Sequence, residues 1–342
     1  MEKIKNLLKR LCEIPSVCGR EGMGKAMLFD IAEPYFDNMY SDSFGNLVLV
    51  KKSSRQDAPK LQIDAHFDEV GMMVSEVCDG GFLGVRAIGG LDMRVLCASE
   101  VTVYGKEKIY GVITSIPPHI SGGKGEVPKI QDVYIDTGLD KDTLKELVRA
   151  GDIVEFKDGV TELLNNCVVS KSLDDKACAC AVIDMASRAD KDKLKYDLYV
   201  TISAQEESGK NGARLIAYDI QPDIAIVTDV NFASGDDIDE TESIEIGKGA
   251  GVDISALTDV KLTRAIMKML DLKGIKYQKV CEPSRTGTNS DGVSVAGKGV
   301  RTVLMSVPLK SMHTPSEAVC LDDIKSLSDI LLEVAYTEKE AL

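Results

Sequence analysis

Tryptophan is absent from this sequence, and histidine nearly so, with three residues in 342. Without an indole, the chain has no broad aromatic platform on which a sugar ring could stack. Basic residues are outnumbered, 41 Lys and Arg against 55 Asp and Glu, for a formal charge of -14. That balance argues against a nucleic-acid partner, because following a phosphate backbone needs clustered Lys and Arg. No stretch reaches the roughly 18 apolar residues that span a bilayer, so no membrane partner is expected. The opening segment MEKIKNLLKRLCEI also lacks the unbroken apolar core of a secretory signal. Its Ile4, Leu7, Leu8 and Leu11 follow helical spacing instead. The CxxC spacing of zinc ribbons is missing too, since Cys178 and Cys180 lie two apart and the rest of the nine cysteines are scattered. These thiols are expected to be reduced and mostly buried, in a cytoplasmic protein.

What is present is an ordinary globular composition, 44% hydrophobic and 28% charged, in a chain long enough for about two domains. Helix and strand patterns alternate at first, with a helix near residues 20–36 and strands LVLV (47–50) and KLQIDAH (60–66). A middle stretch, typified by VTVYGKEKIYGVITSI (101–116), is rich in Gly and β-branched residues and reads as a small β-barrel or sandwich. It holds one short helical stretch near 140–150. Alternation resumes with a helix around 175–188, strands DLYVTISA (197–204), DIAIVT (223–228) and RTVLMSV (301–307), and a last amphipathic helix through Ile324, Leu327, Leu331 and Val334. An α/β pattern interrupted and resumed implies an α/β domain of residues 1–67 and 163–342 with an all-β domain, 68–162, inserted into it. The loop HISGGKGEVPK (119–129) carries the third histidine, His119.

Potential metal ligands fall where open α/β sheets bind ligands, beyond the carboxyl ends of strands. KLQIDA runs into His66 and Asp68, DLYVTISAQ into Glu206 and Glu207, DIAIVT into Asp229, and RTVLMSV leads to His313. Asp174 and Asp175 precede the Ala-rich helical stretch. The ligands His66, Asp174, Glu207, Asp229 and His313, with one carboxylate shared, give each of two divalent cations three protein ligands. An open position remains for water, as a catalytic centre requires, and Glu206 is left over as a base. Paired acids are usually solvated surface, and Asp229 could instead cap a helix. Both acidic pairs, however, adjoin strongly apolar runs, where carboxylates are costly to desolvate without cations. The imidazole and carboxylate set suits zinc, with cobalt or manganese as alternatives.

At these positions the sequence resembles the TET or glutamyl-aminopeptidase family of dinuclear metallopeptidases. The resemblance rests on IDAHFDEVG (63–71), KSLDDKA (171–177), AQEESGKNGAR (204–214), IVTDVNFASGDD (226–237) and PLKSMHTPSE (308–317), in family order along nearly the whole chain. It implies a mixed-sheet αβα catalytic domain of the zinc-peptidase, phosphorylase-like kind, with an inserted all-β barrel. It implies that Asp174 bridges two metals, that His66 and Asp229 complete one site, and that Glu207 and His313 complete the other. Glu206 is then the general base and Asp68 orients His66. A cis peptide bond is implied after Asp174, and Asp291 matches a position near the site. The activity implied is removal of N-terminal residues from short peptides, in a homo-oligomer such as a tetrahedral dodecamer built from dimers. Departures from the family pattern are Lys176 for Arg, Ser208 for Val, and Lys310-Ser311 for Arg-Tyr, the last pair expected to reshape the substrate pocket.

Three rival readings stand beside this one. An amidase or deacylase could use the same two metals on a blocked amino acid. A glucanase, a label given to some relatives, leaves both imidazoles and Asp229 without a role. A non-catalytic assembly protein with an inherited site would be expected to have lost a ligand or Glu206, and none is missing.

Overall fold

Helix α1 (Glu2–Cys12) turns Ile4, Leu7, Leu8 and Leu11 inward, as their spacing predicts. This is a computed structural model of the chain, and it describes residues 1–114, 120, 127–235, 238 and 243–342. His119 lies outside the described residues. The helix expected near 20–36 is broken into α2 (Lys25–Ala32) between 3-10 turns Glu21–Met23 and Glu33–Tyr35. Gly24 marks the first break, packed so tightly that a Cβ there would meet Ile14 Cγ2 at 2.1 Å, and Pro34 lies in the second turn.

Strands β1 (Asn38–Ser41), β2 (Leu47–Lys51) and β3 (Lys60–His66) begin the main sheet. The chain then leaves it for β4 (Gly71–Val77), β5 (Phe82–Ile88), β6 (Glu100–Tyr104), β7 (Lys108–Ile113), β8 (Tyr134–Asp136), helix α3 (Lys141–Leu147) and β9 (Ile153–Phe156). These six strands close into an antiparallel barrel in the order β4-β5-β8-β7-β6-β9. Its alternate residues, among them Met72, Val74, Val101 and Val103, fill a core of their own.

The chain re-enters through β10 (Thr161–Glu162) and β11 (Cys167–Ser170). There follow α4 (Leu173–Arg188), β12 (Asp197–Ser203), α5 (Glu206–Gly209), α6 (Asn211–Ile220), β13 (Ile224–Phe232), β14 (Gly251–Ser255), α7 (Val260–Lys273), β15 (Gln278–Glu282), α8 (Ser290–Val293), β16 (Thr302–Leu309), β17 (Glu317–Cys320) and α9 (Leu321–Ala335). The main sheet has eight strands in the order β1-β2-β12-β3-β13-β16-β14-β15, with β12, β3, β13 and β16 parallel at its centre. Such central strands are buried on both faces. Ile63, Ile226, Met305 and Val252 face α1, α4, α7 and α9, whereas Val227 and Leu304 face α6 and α8. The result is a mixed-sheet αβα layer structure carrying a closed β-barrel.

The barrel and the αβα layers, an αβα sandwich, are joined through a buried charge network. Lys171 donates to Glu69 at 2.7 and 2.9 Å and lies 3.5 Å from Glu155 of β9, which accepts a hydrogen bond from the Tyr104 hydroxyl. Removing one partner of such a network strands a charge in a low-dielectric interior.

A candidate metal centre at the carboxyl ends of the parallel strands

Register brings the candidate residues to one edge of the sheet. His66 ends β3 opposite Ser203 of β12, after which the chain turns at Gln205 into Glu206 and Glu207 of α5. Asp229 pairs with Ser306 inside β13. That strand continues to Phe232 rather than stopping before Asp229, because β16 goes on pairing as far as Leu309. Asp229 therefore caps no helix; its Oδ1 accepts the N–H of Val230 at 2.8 Å. Asp174 enters from the start of α4, joined to Asp175 by a cis peptide bond, and His313 from the loop after β16.

Asp174 sits between the two imidazoles. His66 Nε2 lies 2.9 Å from its Oδ1, and His313 Nε2 lies 3.4 Å from its Oδ2. Each imidazole has a second acid: Asp229 Oδ1 lies 3.8 Å from His66 Nε2, and Glu207 Oε1 3.3 Å from His313 Nε2. The far ring nitrogens are tied to backbone. His66 Nδ1 donates to the carbonyl of Asp68 at 2.9 Å, and His313 Nδ1 to that of Gly90, in the barrel's β5–β6 loop, at 2.9 Å. Such bonds set which nitrogen is left for a ligand. The Asp68 carboxylate, expected beside His66, lies 3.7 Å from Nδ1 but accepts the N–H groups of Glu206 and Glu207 at 2.9 and 3.0 Å. It thereby holds the turn that presents both glutamates.

Strain gathers here. Ser172, Gln205 and His313 all have φ between 53 and 61°. Non-glycine residues adopt this left-handed region uncommonly and keep it where surrounding structure enforces it.

Two features escape a reading of the sequence. Glu317, at the start of β17 and 1% exposed, accepts the N–H of Asp174 at 3.1 Å and that of His313 at 2.7 Å, holding two chain-distant ligand candidates together. It closes the segment PLKSMHTPSE, but nothing local shows that an acid four residues after His313 turns back on it. Asp175 is fully buried and neither of its oxygens has a hydrogen-bond partner. It forms a compact acidic group with His66 and Asp229, as Asp174 does with His66 and Glu207.

The electrostatics suit a site that binds cations. Burial pushes the Glu206 carboxyl up to about 7 against the pull of His66 and Lys210, and its Oε1 has no hydrogen-bond partner among the described residues. Burial likewise raises Asp229 well above the usual carboxylate range. Burial opposes the His313 imidazolium, yet Asp174 and Glu207 outweigh it and raise its pKa to about 11. Carboxylates this concentrated draw in whatever cation is at hand, and the imidazoles supply one as protons. Divalent ions displace such protons and satisfy the orphaned oxygens together.

A sequence model of M42 glutamyl aminopeptidases matches residues 45–330. The chain belongs to that family. It is 31% identical over 337 residues to a lysyl aminopeptidase of Pyrococcus furiosus, with 96% of each chain covered. An aminopeptidase of the archaeon Desulfurococcus kamchatkensis superposes with a TM-score of 0.91 at 29% identity, covering 98% of this chain and 95% of that one. The TET1 peptidase of Pyrococcus horikoshii, which assembles into a tetrahedron or an octahedral shell, matches with a TM-score of 0.86 at 27% identity over 97% and 99% of the two chains.

The departures of this M42 chain now have places. Lys176 is fully buried, donates to the Ile14 carbonyl at 2.7 Å and stands 5.3 Å from the Phe67 ring, so one ammonium serves without a planar fork. Ser208 contacts Cys18 Sγ at 3.2 Å. Lys310 and Ser311 do not line the cavity at the centre, whereas the next residue, Met312, does. Asp291 accepts from Thr286 N and Oγ1 at 3.1 and 2.8 Å and shapes the loop that borders the cavity. Among the described residues no helix is long and apolar enough to cross a membrane.

Proposed function

We propose that the chain is a metal-dependent aminopeptidase that removes N-terminal residues from short peptides in the cytoplasm. The observation that carries this is the Asp174 carboxylate, each oxygen of which faces one imidazole that has a further acid beside it. His66 and Asp229 would hold one divalent ion, Glu207 and His313 the other, and Asp174 both. Zinc fits the mixed nitrogen and oxygen donors, with cobalt or manganese close behind. When bound, the pair supplies an activated water and Lewis-acid support for the scissile carbonyl.

Glu206 does the proton work. The Glu206 side chain lines the cavity; its carboxylate takes a proton as water attacks and returns it to the leaving amine. Lys210 Nζ, 3.6 Å from Glu206 Oε1, steadies its charged form. Asp68 keeps the turn at Glu206 in place through its backbone hydrogen bonds.

Assembly into a homo-oligomer is part of this reading. It is supported by the TET1 relative and by Tyr110, Val112 and Tyr134, exposed on the barrel. A panel of aminoacyl-nitroanilides, blocked and unblocked, assayed after chelation and return of each metal, tests the activity. Turnover of unblocked substrates that vanishes on chelation is expected. Turnover of blocked substrates alone would favour the deacylase.

A further inference from the structure

The small sheet β10-β11-β17 sets two thiols opposite each other. β11 and β17 run antiparallel, with Cys167 facing Cys320 and Ser170 facing Glu317 in register. One step outward, the Leu321 N–H donates to the Asn166 carbonyl at 2.9 Å. The backbone of Cys167 bonds on its other side, its carbonyl accepting the Leu163 N–H at 2.8 Å and its N–H donating to the Leu164 carbonyl at 3.3 Å. Hydrogen-bonded and non-hydrogen-bonded pairs alternate along an antiparallel ladder, so Cys167 and Cys320 form a non-hydrogen-bonded pair. Opposed Cα atoms in such a pair stand about 4.5 Å apart, within the roughly 4.4–6.8 Å that a disulfide spans. Both sulfurs also contact one carbonyl oxygen, that of Asn165, Cys167 Sγ at 3.6 Å and Cys320 Sγ at 3.7 Å.

The two thiols differ in access. Cys320 is 2% exposed, and burial pushes its thiol up to about 12. Cys167 is half-buried and borders a surface cavity of about 130 Å³ together with Lys5, Leu163 and Leu321. An oxidant arriving from solvent therefore meets Cys167 first. The same two strands support the metal centre at their other end. β17 opens at Glu317, which accepts the N–H groups of Asp174 and His313, and β11 runs through Ser170 toward Asp174.

We propose that Cys167 and Cys320, free thiols in this structure, form a reversible cross-strand disulfide that clamps β11 to β17. The oxidant is a low-molecular-weight disulfide. Cys167 gives up its proton, and its thiolate attacks one sulfur of that disulfide. The sulfur–sulfur bond breaks, and the departing thiolate takes up a proton. Cys320 Sγ, its proton lost in turn, attacks Cys167 Sγ in the mixed disulfide and displaces the second small thiolate, which is protonated. Two protein thiols are oxidised, and one small disulfide is reduced to two thiols. The second attack is intramolecular, so juxtaposition offsets the scarcity of Cys320 thiolate. Cys167 stays within reach of solvent, so an excess of free thiol reverses both steps.

The full chain, with all nine cysteines, serves for the test. It is incubated with hydroxyethyl disulfide, the remaining thiols are blocked, and tryptic peptides are read by mass spectrometry. The peptide carrying Cys167 should be recovered linked to the one carrying Cys320, and dithiothreitol should separate them. Oxidation should raise the thermal midpoint by about 5 °C or more, because the bond joins residues far apart along the chain. Amide hydrogen exchange in β11 and β17 should slow roughly five-fold or more. Cys167→Ser should abolish both changes, whereas Cys281→Ser, which removes an exposed thiol elsewhere, should keep them. Mixed disulfides without a link, or Cys167 joined to a different cysteine, would overturn the proposal. So would a link that leaves exchange in the two strands unchanged, or an equal rise in midpoint in Cys167→Ser.

Discussion

At the scale of single residues, the chain divides its acids by task. Glu206 and Glu207 are neighbours in sequence, yet Glu207 faces His313 at 3.3 Å while Glu206 Oε1 has no hydrogen-bond partner among the described residues. Glu206→Gln keeps size and shape and removes the proton acceptor. It should retain both metals by elemental analysis while kcat falls by roughly 10²–10⁴ or more, the scale of general-base catalysis. Near-normal turnover in that variant would remove Glu206 from its role. Asp253, buried in β14 where it borders the cavity, has a different signature, in stability. Its folded carboxyl keeps its proton up to about 8, against an ordinary value of 3.8, so between these the folded chain binds protons that the unfolded chain releases. The stabilisation it contributes is complete below about 4 and is lost as pH rises through about 8. Urea unfolding of the chelated protein at several pH values should therefore show Asp253→Asn gaining on wild type toward alkaline pH. A gap between the two that stays constant with pH would mean that Asp253 is not held protonated by burial.

At the scale of elements, the centre depends on how closely α6 approaches β12 and its following turn. Gly212, in the first turn of α6, sits where a Cβ would lie 2.1 Å from the Ala204 carbonyl oxygen and 2.5 Å from Asn46 Oδ1. Asn46 Oδ1 accepts the Ala204 N–H and its Nδ2 donates to the Gly212 carbonyl, at 2.9 and 3.1 Å. A methyl group has backbone in its way here, which cannot yield as a side-chain tip can. Gly212→Ala should cost about 1–3 kcal/mol, the usual range for overpacking. It should also lower kcat, since Ala204 leads directly into Gln205 and Glu206. A thermal midpoint equal to wild type would show that the helix can slide away without cost.

At the scale of the whole molecule, one loop ties the barrel to the catalytic edge. His313 is held through Nδ1 to Gly90, and the Glu69–Lys171–Glu155 network locks β9 against the sandwich. The barrel thus positions a ligand candidate besides offering an outer face. Tyr110, exposed at 66%, and Tyr134 lie on adjacent strands of that face, an arrangement that favours burial against another copy. Light scattering on the purified protein should report a mass that is a multiple of 37.0 kDa, twelve-fold for a tetrahedral shell. A monomer mass at micromolar concentration would remove assembly from the reading.

The sequence alone determined which chemistry was available and the order in which folding collects it. Periods of two and of three to four residues mark the strands and helices, because burial acts on local patterns. Strand ends mark His66 and Glu207, because the parallel strands end at one edge, whereas Asp229 lies inside β13. The break at Gly24 and the length of β13 belonged to tertiary structure, since each depends on packing against another segment, the turn at Ile14 and Pro15 for one and β16 for the other. So did Glu317, which acts on backbone N–H groups 143 and 4 residues away. Part of the cavity's lining was equally hidden. Asp253 and Glu282 sit on strands of unremarkable sequence, and only the pairing of β14 with β15 and β16 turns both toward the same space.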